Sequence, residues 1–261
     1  MKTGTDTPFK RSQSKRLTAV LGIATLALGL GMQAGPAQAV VVYDANADFT
    51  ASSTTNPNGV WRYGYDTTAS GYDFKPFNDF QVYSGLYPFW TDSGNVVSGT
   101  PAFGKNTTGT PIAGIGPGQI TLHPGAFPFG EAAILRFTAP SAQMYDLIGQ
   151  FFGGDFPVGF LNGDTDARII KNGDVSSPLF SMASTAGSPS FSFSALSLNA
   201  GDTLDFVVGN LGDHVSDNTP INVQFLDQQS NPVTEPATAL LLAAGVLAMR
   251  IGRRQRSRII Q

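Results

Sequence analysis

A chain of 261 residues with no cysteine and a formal charge of −3 is long enough to bury a sizeable core, and it excludes both a disulfide framework and a Cys-ligated metal. The small net charge hides a segregation: ten of the sixteen Lys and Arg lie before Val40 or after Met249, leaving six against seventeen Asp and Glu between Asp44 and Asp227. A middle this acidic repels phosphate backbones, so nucleic acid is not an expected partner.

Taken in chain order, Lys10, Arg11, Lys15 and Arg16 precede an apolar run at residues 17–30 and then Ala37-Gln38-Ala39. This is the order of a secretory signal, which makes residues 1–39 a signal peptide with cleavage expected after Ala39. The apolar run falls short of the ~20 residues of a comfortable membrane span. The secretion machinery and a signal peptidase are therefore expected partners.

From Val40 onward, Asp, Asn, Gly, Pro, Ser and Thr dominate, which favours strands and turns over helices. Short strands are predicted at 40–43, 61–65, 80–83 and 119–122, with a long Gly/Pro/Thr-rich stretch at 98–118 that is either a functional loop or holds a further strand. Alternation is clearer downstream. Residues 133–138 and 145–151 are expected to pair around Pro140-Ser141-Ala142, and 167–170 is expected to return as 179–182 through Lys171-Asn172-Gly173-Asp174, with its Asn-Gly turn signal. Residues 190–194 and 203–208 are expected to pair across a turn with Gly201 at positive φ, and 221–226 is the last strand. Nothing suggests a βαβ unit, so residues 40–226 are predicted to be an all-β, antiparallel β-sandwich.

Several of these runs, namely Asn56-Pro57-Asn58-Gly59-Val60-Trp61-Arg62-Tyr63-Gly64-Tyr65, Leu122-His123-Pro124-Gly125, Leu135 to Pro140 and Ala200 to Phe206, resemble motifs of secreted bacterial jelly-roll domains. Such domains are similar in architecture to carbohydrate-binding modules. The resemblance implies a jelly-roll-like ectodomain, and it implies saccharide binding only by analogy.

Residues 227–232 read as a linker, and 233–258 as a tail: Val233-Thr234-Glu235-Pro236-Ala237-Thr238, an apolar run at 239–249, then Arg250, Arg253, Arg254, Arg256 and Arg258. A single transmembrane helix at about 237–252 is expected, with the arginines held on the cytoplasmic side. This layout resembles the PEP-CTERM sorting tail of Gram-negative bacteria, with Thr234 where the family has its first proline and with Glu235 and Pro236 matching. The resemblance implies a precursor anchored in the inner membrane, cut by an exosortase and delivered to the cell surface or an exopolysaccharide matrix.

Chemistry in the middle is sparse. Stacking on sugar rings points to Trp61, Trp90 and Tyr87, with core burial as the competing reading, favoured for Trp61 by its alternating strand and open for Trp90. Asn162, Asp164 and Asp166, together with Asp213 and Asp217, offer hard oxygen donors for a structural calcium ion, against a reading as ordinary Asx turns. A hydrolase would have to use Glu131, the one glutamate of the middle, with an acid such as Asp155, or His214; His123 is the only other histidine. The expectation is a non-enzymatic, exported surface or matrix protein that binds polysaccharide. A secreted polysaccharide hydrolase and a purely structural matrix component are the alternatives.

Overall fold

Apolar residues at every second position bury one face of a strand, and the middle of this chain folds accordingly. The computed structural model describes residues 40–227 apart from 53, 67–71, 85–86, 95–99, 127–130, 154–163 and 213–214. The signal peptide with its cleavage site after Ala39, and the tail with Thr234, Glu235 and Pro236, lie outside the described residues.

Among the described residues fourteen strands and one helical turn follow in order: β1 Val40–Asp44, α1 Ala45–Asp48, β2 Trp61–Asp66, β3 Phe74–Pro76, β4 Asp79–Tyr83, β5 Tyr87–Thr91, β6 Ala102–Lys105 and β7 Ile120–His123, then β8 Ala132–Thr138, β9 Gln143–Phe151, β10 Asp166–Lys171, β11 Phe180–Met182, β12 Ser190–Leu198, β13 Thr203–Gly209 and β14 Thr219–Asp227. They form two antiparallel sheets. One has the order β12-β9-β14-β7-β6-β5-β4, with β1 also on β14, and the other has the order β11-β10-β13-β8-β2-β3. From β7 to β14 the chain crosses between sheets at every connection except the one from β10 to β11, so that β7-β14-β9-β12 faces β8-β13-β10-β11, which is the strand order of a jelly roll.

Two expected pairings are corrected by this topology. β8 and β9 belong to different sheets, as do β12 and β13, so Pro140-Ser141-Ala142 and the Gly201 turn carry arches between sheets rather than hairpins. Alternation tells which face of a strand is buried but is the same whichever sheet the next strand joins. The stretch at 98–118 is also not all loop, since it contains β6.

The inner faces share one aromatic-rich core. Phe137 of β8 stacks on Phe225 of β14 with centroids 3.9 Å apart, and Trp61 meets Phe137 edge-on at 5.4 Å. Gly149 on β9 marks a close approach, because a Cβ there would lie 2.2 Å from the Asn222 carbonyl oxygen and 2.3 Å from the Phe191 ring.

The flank of β14 opposite β9 is divided between two short strands, β7 at Thr219 to Ile221 and β1 at Gln224 to Asp227. Asn46 closes the notch between them: its Oδ1 accepts from the Ile120 N–H at 2.8 Å, and its Nδ2 donates to Asn222 Oδ1 at 2.5 Å. Asp44 caps α1, accepting from the N–H of Asn46 at 2.9 Å and of Ala47 at 3.0 Å, and so sets Asn46 in place. Asn46→Ala is expected to lower stability by about 1–2 kcal/mol in urea unfolding, since it strips a partner from the Ile120 amide.

Candidate functional site

The β4–β5 hairpin decides which aromatic residues reach solvent. Phe80 pairs with Trp90, Gln81 with Phe89 and Tyr83 with Tyr87, so parity separates Trp90 from Tyr87 and Phe89. Trp90 turns inward and is 4% exposed, against Phe80 and Tyr63. Trp61 is 1% exposed, and its Nε1 donates to Asp48 Oδ2 at 2.9 Å. Neither tryptophan offers a face to a sugar, so both leave the set of sugar-contact candidates: the core reading favoured for Trp61 holds, and the open case of Trp90 resolves to the core as well.

Tyr87, the third candidate, stands on the outer face beside Phe89, with ring centroids 5.8 Å apart and planes at 27°. The neighbouring strand makes room for them through Gly104, which pairs with Phe89 and where a Cβ would sit 2.6 Å from the Tyr87 hydroxyl oxygen and 2.9 Å from Phe89 Cβ. On β7 the same alternation buries Ile120 and Leu122 in the core and sets His123 opposite Ala102 at the outer face.

A loop completes the wall. Asn106 Nδ2 donates to the carbonyl oxygens of Thr110 and Ile115, each at 2.8 Å, and the Ile112 and Ile115 backbones exchange hydrogen bonds at 3.0 and 2.8 Å. Asn218 Nδ2 ties the loop to the start of β14 through the Ala113 carbonyl oxygen at 3.2 Å. The result is a groove of about 270 Å³ in which Tyr83, Tyr87, Phe89, Ile112 and Ile115 form apolar walls and His123 and Asn218 supply polar atoms. Its volume lies just under the ~300–1,000 Å³ of drug-sized ligand sites, so it fits a single ring and its substituents.

Among the described residues that line the groove there is no Lys, Arg, Asp or Glu. Burial holds the Tyr87 phenol well above the usual tyrosine range, so it stays protonated. His123 Nδ1 lies 2.8 Å from the Pro124 carbonyl oxygen. A carbonyl only accepts, so Nδ1 is the donor in this contact. Tyr83, 70% exposed, forms the outer lip. Tyr83, Phe89 and His123 were not singled out as sugar contacts from the sequence; the period-two parity of 87–90 was the signal that could have found Phe89 with Tyr87.

The calcium candidates are only partly described, since Asn162 and Asp213 lie outside the described residues. Asp164 Oδ1 accepts from Ser184 Oγ at 2.7 Å and from the Thr185 N–H at 3.2 Å, while Asp166 Oδ2 is 3.3 Å from Arg168 Nε. Asp217 is buried. Among the described residues no three Asp, Glu or His side chains converge as a cation site.

Of the hydrolase candidates, Asp155 and His214 lie outside the described residues. Glu131 is 5% exposed, with its carboxylate pressed so close to Gly125 that a Cβ there would be 2.2 Å from Oε2.

On the other sheet a buried polar clamp has a structural character. Arg136 Nε and Nη2 donate to the two oxygens of Asp205 at 2.6 and 2.8 Å, the guanidinium lies 3.8 Å over the Phe74 ring, and the Tyr72 hydroxyl donates to Asp205 Oδ2. Burial first, and then the Asp205 charge, push the Tyr72 phenol up, which keeps it a donor.

No family model matches the chain, and no curated protein matches it. Among solved structures it is similar to a family 35 carbohydrate binding module from an environmental isolate, at 16% identity over 43% of this chain and 75% of that one with a TM-score of 0.28. A family 35 carbohydrate binding module from Clostridium thermocellum is 23% identical over 41% of this chain and 74% of that one, with a TM-score of 0.24. Pika GITRL is 19% identical over 38% and 74%, with a TM-score of 0.25. At such scores the jelly-roll assignment rests on the strand order and not on these likenesses.

Proposed function

We propose that this protein is exported, held in the inner membrane of a Gram-negative bacterium by a PEP-CTERM-like tail, and delivered by an exosortase to the cell surface or matrix, where its jelly roll binds an uncharged saccharide. The groove on the outer face of β5, β6 and β7 carries the binding part of this reading. Apolar aromatic faces suit the C–H face of a sugar ring, and an imidazole and an amide suit its hydroxyls. The absence of charge among the described lining residues favours a neutral sugar over a uronic acid.

The full-length chain, purified in detergent and applied to a glycan array with and without calcium, is expected to retain neutral glycans. Retention of none in either condition would remove the binding part. A calcium-dependent signal would bring the ion at Asp164, Asp166 or Asp217 back into the account. Export and sorting are tested separately by mass spectrometry of the mature ends, expected to begin at Val40 and to stop near Glu235. One observation favours the alternative of a purely structural matrix component, namely the burial of both tryptophans.

A further inference from the structure

We propose that strand β12 joins two copies of this chain edge to edge. β12 is the outer strand of its sheet among the described residues, and its nine residues, Ser-Phe-Ser-Phe-Ser-Ala-Leu-Ser-Leu, carry no charge in a domain that is otherwise strongly acidic. Three of the other edge strands among the described residues are blunted, and the fourth, β1 on the flank of β14, ends on Asp44. β11 and β3 are three residues each, β3 carries Lys75 and Pro76, and β4 opens on Asp79.

Half of β12 is protected as well. Its pairing with β9 is broken by a bulge between Phe193 and Leu196, where Ala195 has φ 56° and donates its N–H to Asp146 Oδ1 at 2.8 Å. Lys171 Nζ then caps the Ser197 carbonyl oxygen at 2.9 Å. The unguarded stretch is therefore Ser190 to Ser194.

Its backbone direction follows from the pairing with β9. Pro189 O accepts from the Phe151 N–H at 3.0 Å, so the alternation of an antiparallel ladder points the N–H and C=O of Phe191 and Phe193 at β9 and those of Ser190, Ser192 and Ser194 outward. The three serines are exposed.

The occupant that fits is a second copy, because Ser-Phe-Ser-Phe-Ser reads the same in both directions. A two-fold axis at Ser192 sets it opposite the partner's Ser192, and Ser190 opposite the partner's Ser194, closing about six main-chain hydrogen bonds. The same register lays Phe193, half-buried in the single chain, against the partner's Phe191 on the inner side, while serines meet serines outside. No charged side chain lies in this strip, so two acidic domains meet there without like charges face to face.

The full-length chain in detergent is expected to sediment as a dimer at about 50 µM. Ser192→Pro loses no internal hydrogen bond, since that N–H points outward, and it is expected to weaken the dimer about tenfold or more with an unchanged unfolding transition. Should that variant fail to fold, Ser192→Lys places like charges across the axis and is expected to do the same. Because the chain has no native cysteine, Ser192→Cys is expected to oxidise to a covalent dimer much faster than Ser93→Cys, an exposed site beyond the end of β5. A monomer at that concentration would overturn the proposal. So would a dimer untouched by Ser192→Pro or Ser192→Lys whose Ser192→Cys form cross-links no faster than the Ser93→Cys control, as an association through the tail would give.

Discussion

Replacing Asp205 by alanine is expected to cost about 3–5 kcal/mol in urea unfolding, a large fraction of the stability of a domain this size. The Asp205 side chain is fully buried, and it takes both donors of Arg136, whose own side chain is 18% exposed, together with the Tyr72 hydroxyl. Truncation therefore leaves a largely buried guanidinium and a phenol without their acceptor, and desolvation with no compensation sets the cost. The cluster around them is apolar, with Ile134, Ile170 and Val207 buried beneath Tyr72 and Phe74. Arg136→Met combined with Asp205→Leu is accordingly expected to recover most of the loss. If the single Asp205→Ala variant unfolds within about 1 kcal/mol of the parent, the clamp is not what holds β3 and Tyr72 on this sheet.

The fold was legible wherever one chain segment settles its own conformation. Alternation in Ala133 to Phe137, Ser190 to Ser194 and Thr203 to Val208 marked true strands. Asn172 and Gly173 both take the positive φ that an Asn-Gly turn requires, at 52° and 73°, although β11 starts only at Phe180. Sheet membership was not legible, because a strand that arches to the opposite sheet buries the same alternate residues as one that turns back in a hairpin. β6 was hidden for a different reason. Only four residues long, with Gly104 inside it, it lacks the β-branched run by which a strand is recognised, and it exists because Phe103 fills the core against Tyr63 at 4.3 Å.

The candidate site was less legible than the fold. Tyr87 could be picked out among the aromatics of the first half, but Trp90, three residues on, looked equally suited, and only the pairing of Phe80 with Trp90 sends one in and leaves the other out. The remaining wall comes from residues 106–119 folding back over the sheet, held by Asn106, whose two carbonyl contacts are 4 and 9 residues away along the chain. Such a tertiary closure has no signature in local pattern or composition.

Tyr87→Ala is expected to cut affinity for any saccharide retained by the parent chain about 10- to 100-fold, read by titration calorimetry, because the ring is the central apolar wall and its loss removes both stacking and shape. Tyr87→Phe keeps the ring, so it is expected to change affinity by less than about threefold if stacking carries the binding. Gly104→Val tests the same geometry from beneath, since its side chain would occupy the space of the Tyr87 hydroxyl and push that ring into the groove. Binding is expected to fall by a similar factor, with about 1–3 kcal/mol of overpacking cost to stability. The pair separates a site from a scaffold: Tyr87→Ala opens the groove and Gly104→Val closes it, yet both should abolish retention while the chain still unfolds cooperatively. A parent chain that binds a glycan with affinity indifferent to both substitutions would place the saccharide elsewhere on the domain and return this groove to a packing role.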